Sequence, residues 1–146
     1  MEYTAHVRAD GNGRNGRVVS DDGQIDLKLG IPSELGGAGG GSNPEQLFAA
    51  GYAGCFMSAV ASCARDRKVK LAEPSVAAAV TIAHGDDGFS LSVQLTVDLP
   101  GVDRPAAEEV IEAAHGRCPY SKSVRGNIPV ELLLVVGPNE TVRVGD

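Results

Sequence analysis

Between Gln46 and Arg65 the chain carries no charged side chain until the arginine itself, and no other feature narrows its folding as much. The segment is mostly Ala, Gly and Ser, with too few Leu, Ile or Val to favour lipid. It opens on SNPEQLF, where Asn43 suits an N-cap, Pro44 the first helical position and Glu45 the positive end of the helix. A helix from Pro44 to about Arg65 is therefore predicted. Its apolar residues, Leu47, Phe48, Tyr52, Cys55, Phe56, Met57, Val60 and Cys63, go right round the cylinder, which predicts a core helix enclosed on most sides.

Around that helix the pattern is α+β. Tyr3 to Arg8 and Arg17 to Ser20 flank the turn DGNGRNG, and Ile25, Leu27, Leu29 and Ile31 alternate with Gln24, Asp26, Lys28 and Gly30, as half-buried strands do. GGAGGGS, residues 36–42, reads as a mobile loop, because the 35 residues before it are too few for a separate domain. Two alternating runs, Val76 to Ile82 and Phe89 to Leu99, pair across HGDDG as a hairpin. A second helix starts at Asp103 and Pro105 and stops at Gly116, with Cys118 just beyond. Ile128 to Val136 makes a last strand before a polar C-terminal tail, residues 137–146. The 146 residues are expected to form one domain, 1–146, of antiparallel sheet packed on a buried helix.

Charge and residue counts exclude several functions. A net charge of −6 argues against nucleic acid and anionic membrane as partners. His6, His84 and His115 are scattered and the three cysteines include no C-x-x-C, so neither a metal site nor a disulfide scaffold is predicted. MEYTAHVRAD has no basic region followed by an apolar run, and the expected location is the cytoplasm. GNGRNG, residues 11–16, satisfies G-x-G-x-x-G, but a strand and turn follow where the dinucleotide fingerprint needs a helix. A turn holding Arg14 in a fixed position is the better account.

Free cysteine is among the most buried residue types, and most buried ones are inert. Cys55 and Cys63 lie eight residues apart, about 12 Å of helix rise, whereas a disulfide needs Cα atoms within about 7 Å. They cannot pair in an intact helix, and Cys118 is the intrachain partner open to either. A reactive thiolate needs a cation, a metal or a helix N-terminus close by. Cys55 stands about 18 Å beyond Asn43 along the helix, out of reach of the helix dipole. A basic side chain must come from elsewhere: Arg14 or Arg17 in the glycine-rich turn, or Arg125 after Cys118.

NPEQLFAAGYAGCF, AHGRCPYSKSVRGNIPVEL, GRNGRVVSDDG and ELGGAGGGS, taken together, closely resemble the organic hydroperoxide resistance proteins, a branch of the OsmC-like superfamily. The match extends from about Tyr3 to Val135 in the same order. The resemblance implies an OsmC-like fold, antiparallel β-sheets wrapped around two central helices in an intertwined homodimer. It implies a thiol peroxidase that reduces organic and lipid hydroperoxides, with Cys55 attacking and Cys118 resolving. Arg14 matches the family's active-site arginine and Glu45 the glutamate that pairs with it. Cys63 matches no family cysteine. It implies no bound cofactor and, as reductant, dihydrolipoamide or a lipoylated protein.

Leu47, Phe48, Tyr52, Phe56 and Met57 offer apolar surface for the substrate, although helical spacing alone more often means core than pocket. Glu45 and Cys55 are about 15 Å apart along a continuous helix, so Arg14 reaches both only by spanning that gap, by a bend at Gly51, or across a dimer. The shared site is the favoured expectation. The alternative from a different class is a non-catalytic lipid- or acyl-binding dimer with structural cysteines.

Overall fold

A computed structural model describes residues 1–145. The chain divides into two compact units, Met1–Leu47 and Phe48–Asp146. The end of the expected tail, Asp146, lies outside the described residues.

In the first unit, β1 (Val7–Asp10), β2 (Arg17–Ser20) and β3 (Asp26–Lys28) form an antiparallel sheet in chain order. β1 starts later than the run from Tyr3 predicts, because its register, Val7 opposite Ser20 to Asp10 opposite Arg17, is limited by the four residues of β2. β3 is shorter than its alternation: past Lys28 the chain pairs through Leu29 with Ser42. Gly30 N–H donates to the Ser42 carbonyl at 2.9 Å, and Ser42 N–H to the Lys28 carbonyl at 2.9 Å. The glycine-rich loop is thus tied back onto the end of β3. Between β1 and β2 a 3₁₀ turn, Gly13–Asn15, carries Arg14. Gly16 closes that turn, and a Cβ there would collide with the Asp10 carbonyl.

Helix α1 (Pro44–Asp66) starts where its local signals place it. The Asn43 carboxamide oxygen accepts from Gln46 N–H at 2.8 Å, and the Gln46 side-chain oxygen accepts from Asn43 N–H at 3.1 Å, a reciprocal cap.

The second unit holds the rest of α1 and then β4 (Ser75–Gly85), β5 (Gly88–Asp98), α2 (Arg104–Arg117), α3 (Pro119–Val124), β6 (Val130–Gly137) and β7 (Glu140–Arg143). The sheet order is β4-β5-β6-β7. The expected all-antiparallel sheet is corrected here: β5 and β6 are parallel. The helical connection α2–α3 carries the chain from the end of β5 back to its start, and such a crossover joins parallel neighbours. Two further elements were not predicted. α3 follows Cys118, and β7 forms within the expected polar tail, pairing Leu133 with Arg143 and Leu134 with Val142.

The core gathers Tyr52, Phe56, Val60 and Cys63 of α1 with Val93, Leu95 and Val97 of β5, Val110, Ile111 and Ala114 of α2, and Leu132 and Leu134 of β6. The fully buried positions of α1 follow one helical stripe rather than its whole circumference. Ala50, Gly54, Ser58, Ala61 and Arg65 make an exposed stripe on the other side. By length and apolar character α1 passes for a membrane span, with a mean hydropathy of 1.5, yet its large side chains Tyr52, Phe56 and Val60 are fully buried in this core.

Two glycines test how far backbone space decides stability. Gly16→Ala is expected to lower unfolding free energy by about 1–3 kcal/mol through the forced backbone shift. Gly116→Ala, in α2 with open space around the added Cβ, is expected to raise it by about 0.5–1 kcal/mol. Urea unfolding followed by circular dichroism checks both.

Candidate active site

In the first unit the Arg14 guanidinium grips Glu45 with two parallel hydrogen bonds, Nη1 to Oε2 at 2.9 Å and Nη2 to Oε1 at 2.8 Å. The arginine is delivered by the 3₁₀ turn and the glutamate by the first turn of α1. Such a fork is among the stronger charge-assisted arrangements. Those hydrogen bonds hold the Glu45 carboxyl below its ordinary pKa and raise that of Arg14. Arg17, the other cation of the turn, is engaged by Asp26 through two hydrogen bonds on the surface.

In the second unit the Cys55 and Cys118 sulfurs stand 3.3 Å apart, both as free thiols. Cys55 is half-buried on α1, and Cys118 is fully buried at the junction of α2 and α3. Burial pushes the Cys55 thiol above its ordinary pKa, and Cys118 pushes the same way. A hydrogen bond from the backbone N–H of Tyr120 acts in the opposite direction. That donor exists because Pro119 begins α3 directly after Cys118, leaving the first N–H groups of the helix without partners inside it. Cys63 is fully buried and its sulfur takes no part in the pair.

The residues expected to offer apolar surface divide by burial. Tyr52 and Phe56 are fully buried, while Leu47, Phe48 and Met57 are half-buried. Tyr120, not singled out by periodicity, packs with tilted rings at centroid distances of 6.3 Å from Phe48 and 5.8 Å from Tyr52. Two polar groups were also missed. Ser121 is fully buried and meets the Tyr52 hydroxyl at 2.9 Å and His115 Nδ1 at 3.1 Å. Burial lowers the His115 pKa, as does the Arg125 charge, and Arg125 donates to the His115 carbonyl at 2.9 Å. The only sequence signal for these partners was their place within three residues of Cys118. Among the described residues no group of three or more His, Cys, Asp or Glu side chains is placed to hold a metal.

Two free thiols at this distance can do thiol redox chemistry. The profile of the OsmC-like protein family matches residues 37–133. The organic hydroperoxide resistance protein of Xanthomonas axonopodis pv. citri (strain 306) is 50% identical over 134 residues, covering 90% of this chain and 94% of that protein. The crystal structure of an organic hydroperoxide resistance protein OsmC from Legionella pneumophila superposes with a TM-score of 0.88 at 44% identity, covering 93% of this chain and 99% of that one. That of the organic hydroperoxide resistance protein OhrB of Bacillus subtilis gives 0.83 at 40% identity, covering 91% and 98%. The chain belongs to the OsmC-like family, within its branch of organic hydroperoxide resistance proteins.

The Arg14–Glu45 pair has a measurable pH signature. The lowered carboxyl pKa means that its stabilisation is fully present above the ordinary glutamate range and is lost as pH falls through the folded value. The Arg14 side chain is 40% exposed and that of Glu45 12%, which limits the contribution to about 1 kcal/mol. Wild type minus Glu45→Gln, compared by urea unfolding from pH 7 to pH 3, is expected to shrink from that value towards zero.

Proposed function

We propose that this protein is a cysteine-based peroxidase that reduces organic and lipid hydroperoxides to alcohols in the response to oxidative stress. The observation that carries the reading is the pair of free thiols, Cys55 and Cys118, with sulfurs 3.3 Å apart. Membership of the organic hydroperoxide resistance branch supports the substrate class.

In the proposed cycle the Cys55 thiolate attacks the peroxide and is left as a sulfenic acid, releasing the alcohol. Cys118 then displaces water from that sulfenic acid and forms the disulfide. A dihydrolipoyl dithiol, free or on a lipoylated protein, reopens it by thiol–disulfide exchange. Burial works against the Cys55 thiolate, so a cation has to offset it. Arg14, fixed by Glu45, is the proposed source of that charge.

The proposed assembly is a homodimer in which the Arg14–Glu45 pair of one copy serves Cys55 of the other. Its support is the helical spacing of Glu45 and Cys55 together with the exposed stripe of small residues on α1, which would let a second helix approach closely. The proposed setting is the cytoplasm, where thiols are kept reduced.

Mixing the reduced protein with stoichiometric tert-butyl hydroperoxide and weighing it is the direct test. Wild type is expected to lose two hydrogens, with Cys55 joined to Cys118. Cys55→Ser is expected to be inert, and Cys118→Ser to stop at an oxidised Cys55. Unchanged thiols in wild type would leave the lipid- or acyl-binding dimer with structural cysteines. In Arg14→Ala the pH profile of Cys55 oxidation is expected to move to higher pH, because the thiolate loses its stabilising charge.

A further inference from the structure

Ser121 is the fully buried polar side chain among the described residues, and its place relates it to both thiols. It follows Cys118 by three positions on α3, and its hydroxyl meets the Tyr52 hydroxyl at 2.9 Å and His115 Nδ1 at 3.1 Å. Tyr52 precedes Cys55 by three positions on α1, and His115 precedes Cys118 by three on α2. One hydroxyl therefore joins the helix that bears Cys55 to both helices that flank Cys118. A buried hydroxyl without partners is costly, so these contacts are strongly favoured over their loss. His115 is itself tied down by the bond from Arg125 to its carbonyl.

The sulfurs stand 3.3 Å apart in the reduced protein, whereas a disulfide needs about 2 Å. Closing that gap requires α1 and the α2–α3 junction to keep their register while Cys55 is a sulfenic acid. We propose that the Tyr52–Ser121–His115 chain is a positioning device for resolution, holding Cys118 in line with the oxidised Cys55. The inference rests on the peroxidase reading above and deepens it.

The step it governs is balanced as follows. Peroxide oxidises Cys55 to the sulfenic acid, the O–O bond breaking and the alcohol leaving. The Cys118 sulfur then attacks the Cys55 sulfur; the S–S bond forms, the S–O bond breaks, and the hydroxide takes up the Cys118 proton and leaves as water. The competing fate is a second peroxide, which carries Cys55 to the sulfinic acid. Cys118 is fully buried, so its alignment rather than diffusion decides the outcome. Neither Ser121 nor His115, the two residues substituted below, is asked to touch the peroxide.

Rapid mixing with tert-butyl hydroperoxide, quenched by dimedone and alkylation and read by mass, separates the two steps. Ser121→Ala is expected to consume the Cys55 thiol at the wild-type rate, to form the disulfide about fivefold or more slowly, and to accumulate Cys55 sulfinic acid under excess peroxide. His115→Ala is expected to do the same, and His115→Asn, which keeps a polar atom near Nδ1, to recover. If Ser121→Ala does not fold, the two His115 variants decide alone. Wild-type resolution in the alanine variants overturns the inference, as does equal slowing of both steps or failure of His115→Asn to recover. Wild type that keeps both thiols overturns the peroxidase reading itself, an outcome distinct from these.

Discussion

Two sulfur atoms 3.3 Å apart stay so only if the elements that bear them are fixed to one core. Here the fixing is apolar burial. Tyr52, Phe56, Val60 and Cys63 bury one stripe of α1 in the same cluster as Leu95 of β5 and Val110, Ile111 and Ala114 of α2. Each fully buried Phe, Val, Leu or Ile side chain in that cluster is worth about 1.5–3 kcal/mol. The half-buried Cys55 sits on the flank of that stripe, and Cys118 at the end of α2, so the meeting of the thiols follows from the packing.

The parallel pairing of β5 with β6 belongs to the same logic. Parallel neighbours need a long, usually helical connection, and α2 and α3 lie in that connection between β5 and β6. The crossover supplies both, and the kink between them is Cys118 followed by Pro119, a residue that suits the start of a new helix. That kink buries one thiol and presents the Tyr120 N–H to the other. The first unit contributes a different kind of chemistry. Its glycine turn and the cap of α1 hold an arginine and a glutamate in a two-bond fork, with the Glu45 carboxyl kept ionised.

Legibility in the sequence followed the range of the interaction. The start of α1 was readable because the signals of Asn43, Pro44 and Glu45 act within one turn. The β4–β5 hairpin was readable because alternation and its turn are local. β7 was not, because ETVR is polar and gains its place only by pairing with β6. α3 was hidden because six residues that begin at a proline carry no helical period of their own. The full circle of apolar residues on α1 was visible, but not that its largest would share one stripe while Ala50, Gly54, Ser58 and Ala61 stayed exposed.

Residue order alone settled where α1 begins, the exclusion of a Cys55–Cys63 disulfide by helix rise, and, through long shared motifs, the family. These depend on local geometry or on resemblance, which a linear string carries. The tertiary structure alone decided that β6 runs parallel to β5. It also decided that one buried serine joins Tyr52 to His115. Those contacts come from packing a hydrophobic core, in which side-chain positions depend on all their neighbours at once.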